Sequence, residues 1–338
     1  MTTSEHTGEK SPDSFESFFQ RDLLHVLREL EVERKSIRNT LLYPTIGLGS
    51  LALLLVFMLP NLGIQTLILT GITGAGLFTW FKTKASREFR SEFKQQVIRS
   101  ILQHIDPDLR YNAHGRIKRN EFMASSIFTK QPDRYHGEDL IGGELGETSF
   151  SFSEVHAQIY VKDSEGKRKL QTQFKGLFFK ADMNKHIRHR TIITPDIAER
   201  FLGDFGQQLQ KLNYGRDDLV QLENVEFEKL YAVYGTDQVE ARYILTPRLM
   251  ERLVEFHEVH GFAPYLSFLD SQVHVAMPIH RDFFEPRIFR SLLDMESCRV
   301  YHDDMELALS MVDELDLNTR IWSKRPDSDS AGLKQKAT

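Results

Sequence analysis

The sequence predicts an α+β protein: a two-helix transmembrane hairpin with flanking amphipathic helices, followed by a β-rich cytoplasmic domain. Two observations predict this architecture. No charged side chain occurs anywhere in residues 39–81. Beyond this stretch, alternating segments typical of strands are interrupted by a few segments with helical periodicity. Strands that occur in groups with a few interspersed helices are typical of the α+β class.

The uncharged stretch is the strongest signal in the chain. A membrane-spanning helix requires roughly 20 apolar residues, so the stretch is long enough for two. We predict a transmembrane hairpin over residues 41–81, with helices at about 41–59 and 62–81 separated by the helix breaker Pro60. The alternative is one buried hydrophobic hairpin in a soluble protein, and the basic residues on both sides of the stretch speak against it.

The basic residues also predict the orientation, because positive side chains stay on the cytoplasmic side of a membrane. We therefore expect a multi-pass protein of the cell inner membrane of a bacterium, with both termini cytoplasmic and the lipid bilayer as a partner. The basic residues before the hairpin are Arg34, Lys35 and Arg38, and those after it are Lys82, Lys84, Arg87 and Arg90.

Amphipathic helices are predicted on both sides of the hairpin, over residues 15–40 and in a helical stalk over residues 82–130. Each has one apolar side that needs a partner, so we expect the two to pack on each other or on the following domain. A coiled coil between chains, and hence a homo-oligomer, is the alternative. The apolar positions are Phe19, Leu23, Val26, Leu30 and Ile37 in the first helix, and Phe89, Phe93, Val97, Ile101 and Ile105 in the second.

The cytoplasmic domain is predicted over residues 131–322, between the stalk and a disordered tail at 323–338. A second disordered tail is predicted at residues 1–14, which are polar and lack the apolar core of a cleaved signal peptide. We predict strands at 148–161, 169–182, 189–194 and 265–279, a turn region at 131–143, and helices at about 116–128, 195–212, 247–259, 284–293 and 303–315.

One phrase occurs twice in this domain, as TPDIAERFL from Thr194 and as TPRLMERLV from Thr246. In both copies threonine is a good helix N-cap and proline suits the first helical position. Aromatic and β-branched segments precede each copy. The pattern predicts two similar strand–strand–helix units, and whether they arose by duplication or by chance stays open.

Several longer phrases resemble an uncharacterised bacterial membrane family, domain of unknown function 3137. The resemblance covers most of residues 111–322. It implies a membrane hairpin followed by a cytoplasmic domain, and it implies no catalytic residues. The phrases are GRIKRNEFMASSIF, RYHGEDLIGGELGETSFSFSEVHA, FKGLFFKADMNK, VYGTDQVEARYILTP and LDLNTRIW.

The densest basic cluster of the domain lies in a predicted loop between two strands. Such a loop suits an anionic ligand, either a phosphorylated group or acidic lipid headgroups. The alternative is a solvated hairpin tip. Its two histidines would strengthen anion binding as the pH falls through their usual range. The candidate binding residues are Lys185, His186, Arg188, His189 and Arg190.

Other polar clusters have simpler interpretations. His257 and His260 are three residues apart, whereas the zinc-binding HExxH pattern needs four, so they indicate a helix C-terminus. Asp237, Glu240 and Arg242 lie close together between predicted strands. The two carboxylates could serve as acid and base, but a turn with a local ion pair explains the same three residues and is favoured. No metal site and no cofactor are predicted.

The composition limits the function. The chain has 338 residues, of which 41% are hydrophobic and 27% charged, so most of it should fold. Its net charge of −5 argues against a nucleic-acid partner. A single cysteine, Cys298, excludes a disulfide within the chain and is expected to be a buried structural thiol. The composition also favours a reducing compartment.

No catalytic arrangement can be identified in the sequence. The sequence therefore predicts a membrane-anchored binding or scaffolding module that holds a protein partner or an anionic ligand. The alternative is a membrane-associated enzyme that acts on a lipid-linked or phosphorylated substrate.

Overall fold

The structure is a computed structural model that describes residues 13–58, 71–74, 76, 79, 87–162, 165–183, 186–195, 218–279, 281–315 and 317. The chain divides into two compact units. The first, Met1–Pro107 with Phe283–Met305, is called the helical unit below. The second, Asp108–Asp282 with Glu306–Thr338, is called the sheet unit.

Two long helical stretches build the helical unit. In the first, α1 (Asp13–Phe18) and α2 (Leu24–Met58) are joined by a π-helical turn, Phe19–Leu23. In the second, helical residues 87–93 continue through a π-helical turn, Lys94–Ile98, into α3 (Arg99–Ile105). The buried apolar side chains are Phe15, Phe18, Phe19, Leu23, Leu27, Leu30, Ile37 and Leu41 in the first stretch, and Phe89, Phe93, Val97, Ile98, Ile101 and Leu102 in the second.

A π turn widens the spacing of the buried stripe, since its hydrogen bonds join residues five apart. The Leu24 N–H donates to the carbonyl oxygen of Phe19. As a result Leu27, rather than the predicted Val26, is buried after Leu23.

The transmembrane hairpin predicted over residues 41–81 is wrong, since no helix in the described part of the chain is long and apolar enough to cross a membrane. The first predicted span is the end of α2, a helix whose first half is charged and has Arg34 buried. Of the second predicted span, the structure describes only residues 71–74, 76 and 79, and the rest lies outside the described residues. The break at Pro60 lies outside the described residues.

Two ion clusters hold the segment that precedes the last helix. Glu31 and Arg34, only 4% and 2% exposed, lie 2.7 Å apart. Arg34 also donates to the carbonyl oxygen of Ile288, and the Leu292 N–H donates to Glu31. Burial alone would raise the pKa of Glu31, but the hydrogen bonds from Arg34 and Leu292 outweigh it and lower the pKa to about 2. The second cluster joins Glu285 to Lys94 at 3.0 Å and to Arg90 at 3.1 Å.

These contacts explain a wrong prediction. The helix predicted at 284–293 is absent, and residues 283–294 form turns and irregular structure. The backbone groups of Ile288 and Leu292 bond to side chains of α2 instead of to one another. The last helix therefore starts only after this segment.

The sheet unit contains a nine-stranded antiparallel sheet, which confirms the α+β class. Its strands lie in the order β1-β2-β3-β4-β9-β8-β5-β7-β6. The strands are β1 (Arg110–Asn112), β2 (Arg134–Leu145), β3 (Thr148–Lys162), β4 (Arg168–Asp182), β5 (Thr191–Pro195), β6 (Asp218–Leu219), β7 (Tyr231–Gly235), β8 (Tyr265–Leu269) and β9 (Gln272–Pro278). The remaining helices are α4 (Arg119–Ala124), α5 (Val225–Leu230), α6 (Gln238–Ile244), α7 (Pro247–His260) and α8 (Met295–Glu314).

A cluster of aromatic side chains forms the core between α4 and one face of the sheet. Phe122 of α4 stacks on Phe128, with ring centroids 4.6 Å apart, and contacts Phe178 of β4 at 5.0 Å. Val155 of β3 and Tyr265 of β8 complete this fully buried face. The strands β3 and β4 were predicted from their alternating pattern, and that prediction is confirmed.

The strand β2 occupies residues that were predicted as a turn region. The glycines were interpreted as turn residues. In the structure they instead permit neighbouring side chains to approach the backbone of the strand closely. A Cβ atom on Gly143 would lie 2.6 Å from Leu109 Cδ2. The strand also contains a bulge between Glu138 and Ile141, at which Asp139 has a left-handed φ of 60°.

The segments that lead into the two copies of the repeated phrase differ, since residues 191–195 form β5 whereas residues 238–244 form α6. The second copy therefore does not have the predicted strand–strand–helix pattern. Thr194 lies in β5, and the helix predicted after it lies almost entirely outside the described residues. Thr246 caps α7 as predicted, accepting a hydrogen bond from the Leu249 N–H at 3.2 Å. The strand predicted before it is instead the end of α6, which Asp237 starts by capping the Glu240 N–H.

Candidate functional site

A polar pocket of ≈ 490 Å³ opens on the face of β2 and β3 opposite the aromatic core. We call it the β2–β3 pocket. Its position follows from the two-residue period of a strand, which points Val155 into the core and its neighbours to the other side. The pocket is lined by His114, Arg116, His136, Gly137, Glu138, Glu154, His156, Lys175 and Asp282.

Two neighbouring strands carry a histidine and a glutamate two residues apart, in opposite order along the chain, and these four residues line the pocket. The β2 strand carries His136-Gly-Glu138, and β3 carries Glu154-Val-His156. The strands are antiparallel, so the register places His136 directly opposite His156 and Glu138 directly opposite Glu154. Two histidines and two carboxylates therefore share one small area of the sheet.

A third carboxylate lies beside this pair. Glu138, Asp139 and Glu154 each have a carboxylate oxygen within 4.8 Å of the others. The bulge in β2 brings the consecutive residues Glu138 and Asp139 together, which a regular strand would point to opposite faces. Asp139 is fully buried, and the Tyr111 hydroxyl donates to its Oδ1 at 2.5 Å.

The pKa of the histidine on β3 is lowered by its surroundings. Burial lowers the pKa of His156, and the neighbouring Lys175 and His136 lower it further. The His156 Nε2 lies 3.1 Å from the Thr172 hydroxyl. Lys175 forms an ion pair with Asp282 at 2.6 Å, so its positive charge is partly compensated at the edge of the pocket.

Four predicted anion-binding residues, His186, Arg188, His189 and Arg190, are described, and they lie outside the pocket, between β4 and β5. Lys185 is outside the described residues. The Arg188 and His189 N–H groups donate to the Glu240 carboxylate, with the shortest distance 2.7 Å from His189. The Arg190 N–H donates to the Thr236 hydroxyl at 3.0 Å. These backbone donors therefore bind a carboxylate and a hydroxyl of the same chain.

The side chains of His186, Arg188 and His189 are exposed, and that of Arg190 is half-buried. The binding of an external anion by these side chains therefore stays a prediction. The predicted inner-membrane location and the predicted bilayer and protein partners stay predictions as well.

Replacing Glu240 by alanine should release the backbone of this loop. Hydrogen bonds to a charged group contribute about 1.5 kcal/mol or more, so amide exchange at Arg188 and His189 should accelerate by about tenfold. Hydrogen–deuterium exchange of the intact protein measures this. The matched control is Glu251→Ala, which removes an exposed carboxylate from α7. Equal exchange rates in both variants would contradict the role of Glu240.

The remaining polar clusters have structural roles. His257 and His260 occupy the last turn of α7, which ends at Gly261 with a left-handed φ of 73°, and this confirms their interpretation as a helix C-terminus. Cys298 is buried, as predicted, and burial together with Asp294 raises the pKa of its thiol to about 12.

The sequence interpretation missed the β2–β3 pocket because it assigned no strand to residues 134–145. The mirrored patterns of His136-x-Glu138 and Glu154-x-His156 were the available signal. They become informative only when both segments are recognised as neighbouring antiparallel strands.

The fold and the pocket define an α+β domain with a polar pocket on one face of its sheet. Residues 172–317 match the family described as "Protein of unknown function (DUF3137)", which confirms the resemblance over that part of the chain. The match starts within β4, so the pocket residues on β2 and β3 lie before it. A family of unknown function is consistent with a binding or scaffolding role.

Two further comparisons give no information about function. No curated protein matches the chain. Among solved structures, the chain is similar to the one described as "crystal structure of the mycobacterial trehalose monomycolate transport factor A, TtfA". The two chains are 11% identical, with a TM-score of 0.32, over 65% of this chain and 96% of the other. A likeness this weak carries no argument about function.

Proposed function

We propose that this protein is a binding module whose ligand occupies the β2–β3 pocket. The observation that carries the proposal is the convergence of charged and histidine side chains from three strands and two flanking segments on one face of the sheet. Every residue that lines the pocket, except Gly137, is charged or a histidine. In ligand sites of proteins, convergent polar groups fix the orientation of the ligand and give specificity.

The chemistry of the lining favours binding over covalent catalysis. None of the described residues that line the pocket carries a hydroxyl or thiol nucleophile, and the thiol of Cys298 belongs to the helical unit. The alternative, an enzyme that acts on a phosphorylated substrate, would use Glu154 and His156 as acid and base. A binding module needs these groups only as ligands or hydrogen-bonding partners.

The pocket and the basic loop differ in charge, so we expect them to bind different kinds of ligand. The pocket brings anionic and cationic groups together, with Glu138 and Glu154 near His136 and Lys175. The loop presents mainly cationic side chains, of which Arg188 is exposed. A ligand of the loop would be an anion, whereas a ligand of the pocket would be recognised by carboxylates and imidazoles.

Native mass spectrometry of the intact protein, purified from its own cells, separates these sites. We expect a non-covalently bound species that denaturation releases. The variant His136→Ala/Glu154→Gln should lose it, because both substitutions remove pocket groups while Glu154→Gln preserves side-chain shape. The matched variant Arg188→Ala/Arg190→Ala should retain it.

The outcomes decide the proposal. Loss of the species in the loop variant, with retention in the pocket variant, would transfer the site to the basic loop. Retention in both variants, or no bound species in the wild-type protein, would overturn the proposal. Circular dichroism of each variant shows that a loss of ligand is not a loss of fold.

A further inference from the structure

We propose that the apolar end of α2, residues 41–58, attaches the protein to a lipid surface that carries acidic headgroups. The proposal is independent of the β2–β3 pocket, since α2 belongs to the helical unit. Attachment through one end of one helix needs no segment that crosses the bilayer. The observation that carries the proposal is the order of side chains along one exposed face of α2.

The apolar end of α2 presents large hydrophobic side chains to solvent. At about 100° per residue, these side chains lie within about 120° of one another around the helix. They extend over about 18 Å along the helix axis, at about 1.5 Å per residue. Contiguous apolar surface of this kind marks an interaction site. The residues are Leu42, Tyr43, Ile46, Leu53 and Leu54, which are 37%, 69%, 61%, 74% and 56% exposed.

The same face of α2 is basic in the first half of the helix. Arg28 and Lys35 precede Leu42 at intervals of seven residues, and residues seven apart lie on nearly the same line along a helix. Both basic side chains are exposed. Lys35 lies 3.7 Å from the buried Glu31 carboxylate, whose closer partner is Arg34 at 2.7 Å. Along this line the surface therefore changes from cationic to apolar between residues 35 and 42.

The acidic side chains nearby lie on another side of α2. Glu29 and Glu33 are about 100° or more around the helix from the basic line. The pKa of Glu33 is raised by burial and by the neighbouring carboxylates of Glu92 and Glu88. Glu33 therefore lies on the side of α2 that faces the second helical stretch. The exposed basic and apolar line is separate from this acidic cluster.

The order of residues along the exposed line matches the profile of a bilayer that contains acidic lipids. Basic side chains are attracted to acidic headgroups, tyrosine is enriched at the membrane interface, and aliphatic side chains enter the acyl boundary. On α2, Lys35 comes first, Tyr43 follows, and Ile46, Leu53 and Leu54 lie beyond them. A second copy of this face would also cover the apolar residues, but it would bring cations to the same line instead of anions. Charge complementarity therefore favours the lipid surface.

Vesicle flotation of the intact protein tests the proposal, with vesicles of phosphatidylcholine alone and of phosphatidylcholine mixed with phosphatidylglycerol. We expect the protein to float with the mixed vesicles. High salt should lower the bound fraction, because it screens the attraction between cations and acidic headgroups. The variant Ile46→Asp/Leu53→Asp should weaken binding by at least about tenfold, since burial of one leucine side chain already changes a partition by about that factor.

The matched control is Val239→Asp/Val259→Asp, which changes two similarly exposed apolar residues of the sheet unit, 76% and 70% exposed. It should bind vesicles as the wild-type protein does. The variant Arg28→Gln/Lys35→Gln tests the basic part of the line. It should weaken binding to the mixed vesicles by about tenfold or more, because two basic residues near an acidic surface together contribute that much. Its binding to phosphatidylcholine alone should be unchanged.

Three results would overturn the proposal. The first is a wild-type protein that does not float with the mixed vesicles, or an equal loss of binding in the aspartate variant of α2 and in the valine control. The second is a wild-type dimer in sedimentation without lipid that Ile46→Asp/Leu53→Asp converts to a monomer while flotation stays unchanged, which would assign the face to a second copy. The third is a lower melting temperature of this variant without lipid, again with unchanged flotation, which would show that the chain itself covers the face.

Discussion

Arg34→Ala should lower the free energy of unfolding of the helical unit by about 3–5 kcal/mol, because it leaves a buried carboxylate without its partner. Arg34 is 2% exposed and makes two hydrogen bonds to Glu31, at 2.7 and 2.8 Å. It also donates to the carbonyl oxygen of Ile288 at 2.5 Å. The substitution removes all three interactions and creates a cavity beside Glu31.

Urea unfolding followed by circular dichroism measures the change, and hydrogen–deuterium exchange locates it. The Leu292 N–H donates to Glu31, so its exchange should accelerate strongly. The matched control is Arg28→Ala, which removes an exposed arginine from the same helix and should cost less than about 0.5 kcal/mol. The double variant Glu31→Met/Arg34→Met should recover only part of the loss. It removes the unpaired charge, but it leaves the Leu292 N–H and the Ile288 carbonyl oxygen without the side chains that they bond. Similar losses for Arg34→Ala and Arg28→Ala would show that the buried pair is not what stabilises this unit.

Gly176→Ala should destabilise the sheet unit by at least about 3 kcal/mol, because the added methyl group has no space. A Cβ atom at this position would lie 2.0 Å from the carbonyl oxygen of Met277 and 2.7 Å from the Ile279 nitrogen. Both are backbone atoms, so no side-chain rotation relieves the clash. Gly176 pairs with Pro278 in the ladder between β4 and β9. This ladder joins β1–β4 to the other strands of the sheet. Separation of β4 from β9 would therefore affect the whole sheet.

Thermal unfolding of the intact protein, compared with Gly166→Ala, tests the cause. Gly166 also has a positive φ, 78°, but a Cβ atom added there would have open space around it, with no contact within 4 Å. Its substitution should cost only about 1 kcal/mol, the strain of a left-handed backbone. Equal costs at the two positions would mean that backbone strain, and not the clash with Met277, determines the effect.

The parts of the fold that were predicted correctly depend on local patterns. Alternation along β3 and β4 reports one buried face, and their lengths agree closely with the predicted segments. Thr246 and Pro247 begin α7 because capping involves only neighbouring backbone groups. The α+β class follows from such segments, and it needs no knowledge of which strands pair.

The wrong predictions have non-local causes. Arg34 was assigned to the basic flank of the predicted hairpin, yet it is buried, because Glu31 and the carbonyl oxygen of Ile288 compensate its charge. No helix forms at 284–293 because the backbone groups of Ile288 and Leu292 bond to the side chains of Arg34 and Glu31. In the sheet unit, β2 was missed because its glycines serve close backbone packing against Leu109.

The sequence by itself determined the class of the fold, its strongly alternating strands and its capped helix, because each of these depends on residues that are near one another in the chain. Only the tertiary structure decided which strands are neighbours, and with that the β2–β3 pocket. The physical reason is the antiparallel register, which brings His136 opposite His156 and Glu138 opposite Glu154. No local pattern specifies a pairing between two segments, since it depends on how every other strand of the sheet is placed.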